Sequence, residues 1–95
     1  MHRLAFVSPL LLAACAVAGT PIHGVTPGHK CETANTDRFV GQPATSKLGA
    51  AIIRETHSAV LRWAPPGVML TMDYREDRVT VRIGSDHKVT AISCG

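Results

Sequence analysis

Thirteen residues, Pro65 to Asp77, separate two stretches that read as β-strands, and this gap restricts the fold more than any other feature of the chain. Before it, Val60 to Ala64 places Leu61 and Trp63 on one face and Val60 and Arg62 on the other. After it, Arg78-Val79-Thr80-Val81-Arg82-Ile83 alternates without error, with Val79, Val81 and Ile83 inward and Arg78, Thr80 and Arg82 outward. Pro65, Pro66 and Gly67 exclude a helix at the start of the gap. A connection of this length is far longer than a hairpin needs but is enough to join two parallel strands as a crossover. Its middle, Val68-Met69-Leu70-Thr71-Met72, is apolar, which is unusual for a segment lying in water. Unstructured connections of about 12 residues or more are uncommon in compact domains and usually functional. An extended apolar segment held out by a scaffold is what a protease cleft accepts. The plainer alternative is an ordinary loop whose Val68, Leu70 and Met72 tuck under a small core.

The remaining elements follow from period and punctuation. Phe39 and Val40 are expected to plug the core, with Gly41 turning the chain. Pro43 and Ala44, with Thr45 or Ser46 as N-cap, start a helix running to about His57. Leu48, Ala51, Ile52 and Glu55 share one helical face, so Leu48 and Ile52 are expected to anchor the core, while Gly49 weakens the helix by roughly 1 kcal/mol relative to alanine. Gly84-Ser85-Asp86-His87 reads as a turn and Val89 to Cys94 as a last strand closing a hairpin. The fold class is therefore α+β, one helix packed on a small mixed sheet.

Met1 to Ala14 has a basic start at Arg3 and an apolar run too short to span a bilayer, the pattern of an export signal. The run ends Leu12-Ala13-Ala14-Cys15, which resembles the bacterial lipobox, so Cys15 is expected to become a lipidated first residue. Cleavage after Ala16-Val17-Ala18, giving a soluble product without Cys15, is the competing reading. Both export the protein, the first to the cell envelope through a lipid on Cys15, the second to the periplasm or the medium. With Ala16 rather than aspartate after the cysteine, resemblance to bacterial sorting signals favours the outer membrane. Residues 15–30, rich in Ala, Gly, Thr, Pro and His, read as a flexible tether, and 31–95 as the domain. A core built from about 65 residues is marginal and calls for a covalent staple. With Cys15 assigned to the lipid, Cys31 and Cys94 remain, even in number, in an oxidising compartment and flanking the whole domain. Their bond would stabilise by roughly 4 kcal/mol on chain entropy.

Several chemistries lose support. Removing residues 1–14 takes away Arg3 and leaves nine basic against seven acidic residues, a net charge of +2 on 81 residues. No basic cluster stands beside aromatic side chains, so nucleic-acid binding is not indicated. His23 and His29 precede Cys31, but no second cysteine pair follows at zinc-ligand spacing, so no metal and no cofactor is expected. His57 and Ser58 are adjacent in sequence, which does not make a base and nucleophile, and they read as a solvated helix end. Asp73 and Asp77 could suggest a glycosidase pair, but so short a loop offers no cleft to raise one carboxyl's pKa, and no enzyme is expected.

Phe39-Val40-Gly41-Gln42-Pro43, Pro66-Gly67, Thr71-Met72-Asp73-Tyr74-Arg75, Asp77-Arg78-Val79 and Cys94-Gly95 together resemble peptidase inhibitor family seventy-eight, over most of the chain from Cys31 to Gly95. The long loop also resembles that of the potato inhibitor I family, where a reactive loop joins two parallel strands of a small sheet covered by a helix. The resemblance implies a substrate-like inhibitor of serine proteases of subtilisin, chymotrypsin or elastase type, acting as a monomer. By family position the bond offered for attack is Met72-Asp73, on a binding loop of Leu70, Thr71, Met72, Asp73, Tyr74 and Arg75, with Arg78 as loop support. A second supporting arginine of the potato inhibitor pattern is replaced here by Thr80, and Arg82 lies about 7 Å farther along the strand, too far to substitute. On residues alone, Arg78 and Arg82 read as a solvated strand face. The function from another class is an envelope lipoprotein with a structural or partner-binding role, docking the same apolar loop on a protein that is not a protease.

Overall fold

Thr45 opens helix α1 (Ser46–Thr56) by accepting a hydrogen bond from the Leu48 amide at 3.1 Å, which satisfies one of the free donors of the first turn. This computed structural model describes residues 21–95, so the segment 1–14, Cys15 and the first part of the region read as a tether lie outside the described residues. The helix ends at His57, left-handed at φ 62°, whose amide donates to the Arg54 carbonyl while the Ser58 amide donates to Ile53, a Schellman ending without glycine. Ser58 is not solvated. It is 1% exposed, with its hydroxyl 2.8 Å from that of Thr56, because the next two amides, Ala59 and Val60, both donate to the Asp77 carbonyl and lead the chain straight into the first strand of the sheet.

Three strands follow, β1 (Val60–Ala64), β2 (Arg78–Ile83) and β3 (Val89–Cys94), in spatial order β1-β2-β3. β1 and β2 are parallel, with Arg62 opposite Thr80, and β2 and β3 are antiparallel, with Val79 opposite Cys94. The long connection is thus a crossover between parallel neighbours, and β2 is the central strand. Ile52 and Leu48 of α1 pack against Val79, Val81, Val89 and Phe39, with Leu61, Trp63 and Ile92 completing the edge of this cluster. Burying one such side chain stabilises by about 1.5–3 kcal/mol. Gly49 has a packing reason: a Cβ built there lies 2.9 Å from Cζ2 of Trp63, so the glycine lets the indole lie against the helix.

Val40 does not join Phe39 in the core. Phe39 closes a short 3-10 turn, Asp37–Phe39, after which Gly41 and Gln42 pair with Val89 and leave Val40 on the outside at 46% exposure. Cys31 and Cys94 are disulfide-bonded, with Cα atoms 5.6 Å apart across a separation of 63 residues. The outward face of β2 also departs from expectation: Arg78 and Thr80 are buried at 8% and 3% exposure, covered by the crossover loop and Gly95 rather than by water. Only Arg82 on that face is exposed. The stretch before Cys31 differs too. Turns at 22–25 and 26–29 lay it along the domain, where Gly24 and Thr26 bond to Asp77 and His29 to the His57 carbonyl. Among the described residues no helix is long and apolar enough to cross a membrane.

Candidate functional site

The crossover loop leaves β1 through a turn in which the Val68 amide donates to the Pro65 carbonyl and Gly67 takes φ 81°. From residue 69 to residue 76 no amide finds a main-chain acceptor among the described residues, and only the Arg75 and Glu76 carbonyls, at the far end, accept main-chain amides, so side chains hold the middle of the loop in place. Arg78, at the start of β2, donates from Nη2 to the Asp73 carbonyl at 2.7 Å and from Nε to the Gly95 carbonyl at 3.1 Å. Its Nη2 also stands 3.9 Å from the Asp73 carboxylate. Arg62 reaches up from β1, donating from Nη1 to the Thr71 hydroxyl at 3.0 Å and from Nε to Thr80 at 3.2 Å. The Thr80 hydroxyl in turn donates a hydrogen bond to the Gly95 carbonyl at 2.7 Å, which closes the network.

Thr71 and Asp73 are therefore both anchored, and Met72 between them projects into solvent at 96% exposure. Met69 and Tyr74 are also exposed, Val68 partly so, and Leu70 is half-buried. The Tyr74 ring lies over Gly95, where a Cβ would meet its Cδ1 at 2.9 Å. Arg75 turns back and grips Asp77 with two parallel bonds of 2.9 and 3.0 Å. Such bidentate guanidinium–carboxylate pairs fix orientation as well as adding strength.

Two of the loop's three acids, Asp73 and Asp77, are held ionised. The Thr71 hydroxyl and then His23, whose Nε2 is 3.1 Å from Oδ2, lower the Asp73 carboxyl to about 2. Asp77 is likewise lowered to about 2, first by Arg75 and then by the Thr26 hydroxyl. His23 and His29 diverge to Asp73 and to the His57 carbonyl, and no three potential metal ligands gather among the described residues.

Arg62, Asp77, Gly24, Thr26 and Gly95 belong to this site without having been singled out for it in sequence. For Arg62 a signal existed. It lies on the face of β1 opposite Leu61 and Trp63, and parallel pairing across the crossover sets it beside Thr80. It thus occupies, from the neighbouring strand, the role left open by a threonine at position 80, while Arg82 makes no side-chain hydrogen bond among the described residues. For Gly24 and Thr26 no local signal exists, since neither lies in a periodic segment.

One helix lies over a small mixed sheet, and a loop tied down by side chains crosses between two of its parallel strands. The solved structure of the elastase inhibitor AFUEI in its crystal form II is similar, with a TM-score of 0.51 and 25% identity over 62% of this chain and 81% of that one. The model of the Peptidase inhibitor I78 family matches residues 31–95, and the chain belongs to that family. No curated protein matches.

Proposed function

We propose that the protein is a substrate-like inhibitor of serine proteases that presents the Met72-Asp73 bond on its crossover loop. The observation that carries this reading is the contrast at three consecutive residues, with Thr71 and Asp73 anchored and Met72 fully projected. A protease entering this loop meets an extended segment already in shape, so little ordering entropy is lost on binding. Met72 fills the specificity pocket, Thr71 precedes it and Asp73 follows it. The similar protein AFUEI is by description an elastase inhibitor, which supports a protease with an apolar specificity pocket as the target. Once the bond is cut, Arg62 holds one new end and Arg78 the other, so religation competes with release and the complex persists.

The proposal extends to location. Export by residues 1–14 and acylation of Cys15 place the inhibitor on the bacterial envelope, where it meets proteases of the cell surface or its surroundings. The intact mass of the native protein tests this, and a soluble product beginning at Gly19 would refute it. For inhibition, the test is a panel of subtilisin, chymotrypsin, elastase and trypsin with wild type and Met72→Lys. Wild type is expected to inhibit one or more of the first three, and the variant to move toward trypsin, because the pocket-filling residue sets specificity on an unchanged frame. A folded wild type inactive against the whole panel, or an unmoved spectrum in the variant, would overturn the assignment.

A further inference from the structure

Residues 22–26 lie upstream of the region matched by the family, yet they run beside the descending limb of the loop in matching order. His23 meets Asp73, Gly24 packs on Arg75, and Gly24 and Thr26 both meet Asp77. The contact at Gly24 is backbone on backbone: it is buried, at φ 79°, and a Cβ built there falls 2.9 Å from the Arg75 Cα. A side chain is excluded both by conformation and by space. Its carbonyl accepts the Asp77 amide at 3.0 Å. Thr26 donates its hydroxyl at 2.7 Å to Oδ2 of Asp77, a carboxylate 1% exposed whose other partners are the two nitrogens of Arg75. Asp77 in turn accepts the Ala59 and Val60 amides on its carbonyl, so it joins this upstream strap, the loop and the start of β1.

We propose that residues 22–26 form a second brace on the presented loop, with Gly24 and Thr26 as positioning residues that act through Asp77 and Arg75. The inference rests on the loop being the inhibitory element, and it adds an asymmetry to that reading. Arg62 and Arg78 restrain the residues on either side of Met72, whereas the strap restrains only the segment from Asp73 onward. That segment carries the new amino terminus once the Met72-Asp73 bond is cut. Holding it keeps the amine beside the acyl group it left, so the brace acts on persistence of the complex and on slow net cleavage more than on first encounter.

The test uses the full mature chain with Gly24→Ala, Thr26→Val and Thr26→Ser. Amide exchange at Asp77 and the rate at which a broad-specificity protease nicks the loop are measured alongside the inhibition constant and the melting temperature. Gly24→Ala and Thr26→Val are expected to raise exchange at Asp77 and loop nicking at least tenfold, with melting shifted by only a few degrees, and Thr26→Ser is expected to restore wild-type values. If Gly24→Ala fails to fold, the near-isosteric Thr26→Val and its rescue decide the matter. Exchange and nicking within twofold of wild type in the folded variants would overturn the brace, as would a fall in melting temperature large enough to account for both. A wild type that inhibits nothing refutes the proposed function alone, because exchange and nicking still report whether the strap holds the loop.

Discussion

Replacing Arg78 by methionine keeps most of the aliphatic stem and removes every donor. In the wild type Arg78 is 8% exposed and its guanidinium makes two bonds to carbonyls, one at the loop and one at Gly95. Hydrogen bonds involving a charged group are worth about 1.5–3 kcal/mol each, so roughly 3–6 kcal/mol of interaction is removed. The two halves report differently. The Gly95 bond sits at the base of the sheet and its loss appears in stability, whereas the Asp73 carbonyl belongs to an exposed loop and is rehydrated when freed. The loop half, about 1.5–3 kcal/mol, is therefore expected to appear as a weaker inhibition constant, roughly tenfold to 150-fold, since each 1.4 kcal/mol is a factor of ten. Specificity should not change, because Met72 is untouched. The assay is the inhibition constant against the most strongly inhibited protease of the panel, with the rate of loop cleavage in the same samples and thermal unfolding as control. Arg62→Ala, which removes a more exposed pair of bonds to hydroxyls, should do the same more weakly. A folded Arg78→Met protein whose inhibition and cleavage rates stay within twofold of wild type would show that the guanidinium does not organise the loop.

Three further outcomes follow from the geometry. Gly49→Ala gains roughly 1 kcal/mol of helix propensity but drives a Cβ to 2.9 Å from Trp63, and overpacking costs about 1–3 kcal/mol, so the melting temperature should fall rather than rise; a clear rise would refute the packing argument. Replacing both Cys31 and Cys94 by serine removes a constraint worth roughly 4 kcal/mol in the chain-entropy model, or about 15–30 °C in melting for a domain of this size, measurable by calorimetry. Asp77, lowered from 3.8 to about 2 in the folded state, contributes stability that is complete above its unfolded value and is lost as pH falls through the folded one. Nuclear magnetic resonance titration of its carboxyl should therefore find a midpoint near 2, with loop exchange accelerating only in that range, and a midpoint near 4 would contradict the pairing with Arg75 and Thr26.

The alternation from Arg78 to Ile83, the Thr45 cap, the apolar face of α1 and the parity of cysteines are local or compositional signals, and each led directly to an element or a bond seen in the structure. The length of the crossover likewise pointed to parallel β1 and β2, because a parallel connection needs a dozen or more residues and a hairpin far fewer. What alternation cannot say is what covers the second face of a strand. That depended on the loop and Gly95 folding over β2, which turned Arg78 and Thr80 from surface residues into buried ones and brought Arg62 within reach of Thr71. Ser58 and Val40 exchanged their expected surroundings for the same kind of reason, since main-chain bonds to Asp77 and to Val89 set the direction in which the chain left its helix and its turn. The strap at 22–26 is the extreme case. Its bonds reach across about fifty residues of sequence, from His23 to Asp73 and from Thr26 to Asp77, and they exist only because the sheet and the crossover first place those acids in space.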